Sequence, residues 1–185
     1  MSYLKATADY ALTLINEGDL WSECFIGLYV DANHNKKPPC KADDGHMVTV
    51  DGVLGTFMGM DWSKKKQGIV TTNSGESESV AWSRAIKTAI KWVAVMEKTT
   101  TNAVPIRGYN DNEAVRIAFT HGSSAKMAHM TRHAGVHFEF VRSIGLIPRH
   151  IDGEDNLSDM FNKILGAKRL RCSDLTSSPG IHVLP

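Results

Sequence analysis

An α/β fold, with helices packed on a mixed sheet, follows from three features of the sequence. The first third holds three β-type stretches in succession, the middle switches to a helical period, and strand and helix patterns then alternate over short connections. The order reads β β β α β α α β α, and connections this short favour one compact domain. With 185 residues, 42% of them hydrophobic and 22% charged, the chain is long enough to close a single core.

Each element has its own signal. Leu4, Ala8, Ala11, Leu12 and Ile15 carry helical spacing over residues 3–17, a preface that Gly18 and Asp19 end. Residues 25–30 read as a strand, with Ile26, Leu28 and Val30 on one side and Asp31 where the pattern stops. A polar stretch over 33–44 holds Pro38-Pro39, after which residues 46–50 and 53–62 read as two more strands joined near Asp51-Gly52. These three strands predict an antiparallel meander. Over residues 76–97, Ala81, Ala85, Ala89 and Val93 step by fours beside Trp82, Ile86, Ile90 and Met96, which predicts the long helix. Residues 104–109 read as a strand ending at Asp111, and 112–119 turn helical directly after it. Ser123-Ser124 would cap a helix running to about Arg142, 146–151 form a short strand, and 156–165 are helical again. Beyond Arg171, with Ser177-Ser178-Pro179-Gly180, a loose tail is expected.

Composition excludes several classes of function. Lys and Arg number 21 against 20 for Asp and Glu, a net charge of +1, so a nucleic-acid partner must be met by a local patch rather than a global basic field. Apolar runs fall far short of the roughly 20 residues that span a bilayer, and the start Met1-Ser2-Tyr3-Leu4-Lys5 is no secretory signal. An intracellular protein, cytoplasmic or nuclear and without a membrane partner, is expected. Cys24, Cys40 and Cys172 are odd in number and dispersed, against a disulfide framework or a thiolate zinc site.

Four acidic residues stand at element ends: Asp31, Glu78, Asp111 and Asp159. Two of them end strands that can lie side by side. At about 100° per residue, Glu78 falls within about 60° of Ala81, Trp82 and Ala85 on the buried stripe, whereas Glu76 lies about 160° away and is expected to face out. A carboxylate on a buried stripe is costly unless it is paired, hydrogen-bonded or bound to a metal, and no Lys or Arg lies one turn away on that face. Carboxylates that converge repel one another, and a divalent cation relieves them. Oxygen-only ligation suits Mg²⁺ or Mn²⁺, which retain water for phosphate chemistry. Taken singly, the same residues also read as a turn Asp, a helix-start Glu, an N-cap Asp and a surface Asp.

Their context is more specific. Tyr3-Leu4-Lys5-Ala6-Thr7-Ala8-Asp9, Gly27-Leu28-Tyr29-Val30-Asp31-Ala32, Trp62-Ser63-Lys64-Lys65-Lys66-Gln67, Ser74-Gly75-Glu76-Ser77-Glu78 and Tyr109-Asn110-Asp111-Asn112-Glu113-Ala114 follow one another along the chain. Arg132-His133 with His137-Phe138 and Arg142, and then Gly153-Glu154-Asp155-Asn156-Leu157-Ser158-Asp159-Met160-Phe161-Asn162-Lys163, complete the set. In order and spacing these segments resemble the ribonuclease H domain of copia-class retrotransposon polyproteins, over most of the chain.

That resemblance implies a ribonuclease H-like fold with a five-stranded mixed sheet, and hydrolysis of the RNA strand of an RNA–DNA hybrid. It places the family's acidic set on Asp31, Glu78, Asp111 and Asp159, as ligands of two Mg²⁺ ions for which Mn²⁺ can substitute. In the implied scheme the ions lie roughly 4 Å apart. Asp31 bridges both, Asp159 helps hold the ion that activates water, and Glu78 with Asp111 holds the ion facing the leaving 3′-oxygen. It also implies that residues 1–20 resemble the end of a reverse transcriptase or connection segment, that 21–171 form the ribonuclease H-like domain, and that 172–185 are a tail. A separate reverse transcriptase portion is then a further partner. The sequence departs from the family pattern at Asn33-His34, at Glu113 and at Ser158, none of them a proposed ligand. The loop Asp152-Gly153-Glu154-Asp155 holds no His before the last Asp. A catalytically inactive nucleic-acid-binding module descended from such a domain remains the alternative.

Other residues have weaker signals. Lys64, Lys65 and Lys66 are candidates for phosphate contacts along the hybrid, or else a solvated strand end. Asn112, Lys126 and Arg132 are further candidates for hybrid contact. His129, His133 and His137 step by four, but no fourth ligand for a transition metal is visible. His150 is expected to be structural. Trp82 and Trp92 read as core residues.

Overall fold

The computed structural model describes residues 10–12, 14–34, 41–122, 130, 132–162 and 181–183. Its principal sheet has five strands in the order β4-β3-β2-β5-β6. They are β2 (Phe25–Asn33), β3 (Asp43–Asp51), β4 (Phe57–Lys66), β5 (Ile106–Asn110) and β6 (Arg149–His150). The expected meander is present: β2 pairs antiparallel with β3, and β3 with β4, through a register shift at Val48/Thr49. On its other side β2 pairs parallel with β5, which pairs parallel with β6. The helices are α1 (Ser74–Thr100), α2 (Glu113–His121), α3 (Arg132–Ile144) and α4 (Asp159–Asn162).

The central strands β2 and β3 are buried on both faces along almost their whole length. On one face Ile26, Leu28, Val30, Val48 and Val50 form the main core with Ala81, Trp82, Ala85, Ile86 and Ala89 of α1 and Phe119 and Phe138 of α2 and α3. The step of four that predicted α1 is the line of small residues that lets this helix lie close to the sheet. Gly108 serves the same contact, since a Cβ there would stand 2.7 Å from Cη2 of Trp82. On the opposite face Tyr29, Met47 and Phe57 form a smaller cluster with Ile15, Tyr109, Ile151, Leu157 and Phe161, and α4 packs on β2 and β3 there.

Four expectations are corrected. Tyr10–Leu12 is a strand (β1), not part of a helix, because it pairs antiparallel with Ile181–Val183 (β7). The tail expected to be loose is therefore partly strand, and its pairing with residues so distant leaves no periodic trace in either sequence. Glu76 is fully buried rather than outward-facing. Its carboxylate turns back to accept the Thr72 N–H at 2.6 Å, while Asn73 accepts the Glu76 N–H at 3.0 Å, a reciprocal cap at the start of α1. Finally α4 begins at Asp159 rather than 156, since Asn156 and Ser158 belong to the turn before it. The expected helix start at Ser123-Ser124 lies outside the described residues. No helix among the described residues is long and apolar enough to cross a membrane.

Candidate metal centre

The site is built at the carboxyl end of two neighbouring parallel strands. Tyr29 of β2 stands in register with Tyr109 of β5, so Asp31 and Asp111, each two residues further on, emerge side by side. Asp159, the first residue of α4, is brought to the same place. One carboxylate oxygen from each of Asp31, Asp111 and Asp159 lies within 4.8 Å of the others. Asp31 and Asp159 are buried and Asp111 is half-buried.

Glu78 enters from the first turns of α1, where it is buried as helix geometry predicted. Burial pushes its carboxyl well above the usual range, and the charges of Asp31 and Asp111 push it the same way. A hydrogen bond from Asn110 Nδ2, at 3.1 Å, and the Ala32 N–H oppose the rise. Asp31, Glu78 and Asp111 line one open polar cleft with Asn112, Glu113 and Ala114. Three carboxylates therefore converge, and a fourth, Glu78, feels the charges of two of them. Their donor set is oxygen alone, which fits hard divalent cations such as Mg²⁺ or Mn²⁺ and not a thiolate or imidazole metal.

The remaining candidates divide. The amide oxygen of Asn112 accepts the N–H groups of Ala114 and Val115 and so caps α2, at the rim of the cleft. Lys64, Lys65 and Lys66 end the edge strand β4 and are exposed. Strand alternation separates them: Lys64 pairs with Gly45, which pairs with Asp31, whereas Lys65 pairs with Asp44 on the opposite face. Arg132 is exposed at the start of α3, and Lys126 and His129 lie outside the described residues. The ring of His137 meets the Ser83 hydroxyl at 2.8 Å and is partly buried, which lowers its basicity. Trp82 is core, and Trp92 packs at the core edge with its indole N–H on Asp61. His150 is exposed and lies 3.6 Å from Asp152.

Sequence reasoning missed Asn110 and Asn156, which are almost fully buried beside the carboxylates. An Asn directly before a strand-ending Asp, and another three residues before the last Asp, were the available signals. The loop that follows β6 is close as well, for a Cβ at Gly153 would stand 3.3 Å from Asp111 Oδ2.

No family model matches the chain, and no curated protein matches its sequence. Solved structures do. LC11-RNase H1, isolated from compost by a metagenomic approach and solved in complex with an RNA/DNA hybrid, superposes with a TM-score of 0.50 at 17% identity, over 74% of this chain and 92% of that one. RNase H1 from the halophilic archaeon Halobacterium salinarum gives 0.48 at 14% identity, over 72% and 89% of the two chains. A mutant of the prototype foamy virus protease-reverse transcriptase gives 0.49 at 12% identity, over 84% of this chain and 23% of that chain. The first superposition, with the strand order above, gives the chain a ribonuclease H-like fold.

Proposed function

We propose that this chain is a divalent-metal-dependent ribonuclease H that hydrolyses the RNA strand of RNA–DNA hybrids, of the kind carried by copia-like retroelements. The observation that carries this reading is the convergence of Asp31, Asp111 and Asp159 within 4.8 Å, with buried Glu78 beside them, at the strand ends of a ribonuclease H-like sheet. The neighbour of known structure that was solved with an RNA/DNA hybrid supports the substrate class.

Asp31, Asp111 and Asp159, with Glu78 beside them, would hold the divalent cations, Mg²⁺ or Mn²⁺ by the oxygen-only donor set. Bound there, the ions would supply Lewis acidity toward the phosphodiester and a more acidic water. The protein's own part is to hold the scissile phosphate and the water against each other in the cleft. Asp31 and Asp111, fixed to adjacent strands, keep their separation because the sheet does. The cleft is open and polar, as a long polyanionic duplex requires, and Asn112 and Glu113 form its rim. Attack of water on phosphorus with loss of the ribose 3′-oxygen leaves 5′-phosphate and 3′-hydroxyl ends, with no covalent enzyme intermediate.

The test is cleavage of an end-labelled RNA–DNA hybrid by the purified chain with Mg²⁺, with Mn²⁺ and with neither, beside Asp31→Asn. Metal-dependent RNA cutting that falls at least about a hundredfold in the variant is expected. Hybrid that is bound but never cut would overturn the proposal in favour of the inactive binding module.

A further inference from the structure

Three segments of the chain meet on one backbone oxygen. The carbonyl of Val30, the residue before Asp31, accepts Asn110 Nδ2 at 3.1 Å and Asn156 Nδ2 at 3.2 Å. The same Nδ2 of Asn110 also donates to Glu78 Oε2. The other end of each amide is committed too. Asn110 Oδ1 accepts the Asn112 N–H at 2.8 Å, and Asn156 Oδ1 accepts the Ser158 hydroxyl at 2.6 Å and its N–H at 3.2 Å. Asn156 in turn receives the Asp159 N–H on its backbone carbonyl at 3.0 Å.

Two primary amides, 1% and 3% exposed, would be an expensive way to fill space, since a buried amide costs free energy that an apolar group of the same size does not. What they provide is geometry. Asp31 follows Val30, Asp111 follows Asn110, and Asp159 is tied to Asn156, so each Asp of the cluster is one short connection from the shared carbonyl. Glu78, from a different element, is held by the same Asn110 amide. Ser158 completes the arrangement by saturating Asn156, which gives a role to one of the chain's departures from the copia pattern.

We propose that Asn110 and Asn156 are positioning residues that set the spacing of the carboxylate cluster for divalent cations, acting through the Val30 carbonyl and Glu78. This rests on the metal-site reading above. Partners that orient ligands from behind typically change metal affinity by about 10–100-fold when removed, whereas a residue that serves only folding changes stability and leaves the affinity of the folded protein alone.

The experiment titrates Mn²⁺ alone into metal-free wild type, Asn110→Ala, Asn156→Ala and the double variant, reading free Mn²⁺ by electron paramagnetic resonance at a temperature where thermal unfolding curves show each protein folded. Each single variant is expected to bind Mn²⁺ about tenfold or more weakly. The double variant is expected to lose less than the product of the two, because both act on one acceptor. Affinities within twofold of wild type would overturn the positioning role while leaving the metal site standing. Wild type that binds no Mn²⁺ would overturn both. If an Ala variant does not fold, Asn110→Ser or Asn156→Ser, which keeps one short donor, takes its place under the same criteria.

Discussion

Tyr29 and Tyr109 stand opposite each other on adjacent parallel strands, their rings stacked with centroids 4.8 Å apart. Two residues beyond them on the same face come Asp31 and Asp111. The stacked pair fixes the register of β2 against β5 at the point where a one-residue slip would turn one carboxylate to the other face. A ring pair that is attractive by about 1 kcal/mol thus lies directly behind a carboxylate pair that is repulsive unless a cation intervenes.

That repulsion has a measurable sign. In the absence of divalent ions, Asp111 crowds Asp31 and Asp159, with one oxygen of each within 4.8 Å of the others, so Asp111→Asn should unfold at a higher temperature than wild type. A relief of about 1 kcal/mol corresponds to about 2–4 °C for a chain of this size. Saturating Mg²⁺ should reverse the order, since an ion held at about 100 times its dissociation constant stabilises the native state by about 2.7 kcal/mol and the variant forfeits a ligand. Calorimetric scans with chelator and with Mg²⁺ give the comparison. A variant less stable than wild type under both conditions would show that the cluster is not strained by its own charge.

A second carboxylate gives stability a pH dependence. Asp51 is buried on the face that carries Tyr29, its Oδ1 without a hydrogen-bond partner. Burial pushes its carboxyl up to about 7 against the weaker pull of the Thr49 hydroxyl and Arg107. The native state therefore binds a proton more tightly than the unfolded chain, whose carboxyl titrates near 3.8. The stability this confers is whole below about pH 4, and is lost progressively as pH rises to about 7, on the order of a few kcal/mol. Asp51→Asn should remove this slope, matching wild type near pH 4 and exceeding it at pH 8. Urea unfolding of both proteins at the two pH values, each with chelator, isolates Asp51, because the contribution of Glu78 is common to both. Equal stability at pH 8 would show that Asp51 is ionised in the native protein at no cost.

The pattern of legible and illegible features follows from distance along the chain. Strands β2 to β5 and helix α1 declared themselves because alternation and steps of four are local records of which face is buried. Asp31 and Asp111 could be paired because each ends such a segment. The pairing of Tyr10–Leu12 with Ile181–Val183 has no local record at all. Glu76 departs from the outward position that ideal helix geometry gives it, because its side chain turns back to cap its own first turn. The roles of Asn110 and Asn156 depend on the Val30 carbonyl, 80 and 126 residues away in sequence, and exist only once the sheet has formed.

The alternation that sorted the strands also sorts the lysines. Asp31, Gly45 and Lys64 lie in one row across β2, β3 and β4, with about 10 Å between the outer two. Gly45 puts no side chain between them. A nucleic-acid backbone seated at Asp31 would pass within reach of the Lys64 ammonium, whereas Lys65 projects on the face of Asp44, whose carboxylate pairs with Arg84 and feels the Lys65 charge. Lys64→Ala should therefore raise the KM for hybrid and reduce the steepness of its salt dependence by about 0.7–0.9 in log–log slope, the loss of one phosphate contact. Lys65→Ala should leave that slope near wild type. Cleavage rates measured against hybrid concentration at several salt concentrations decide it. Equal effects of the two substitutions would mean that these lysines act as a diffuse charge on the sheet edge rather than as a contact aligned with the carboxylates.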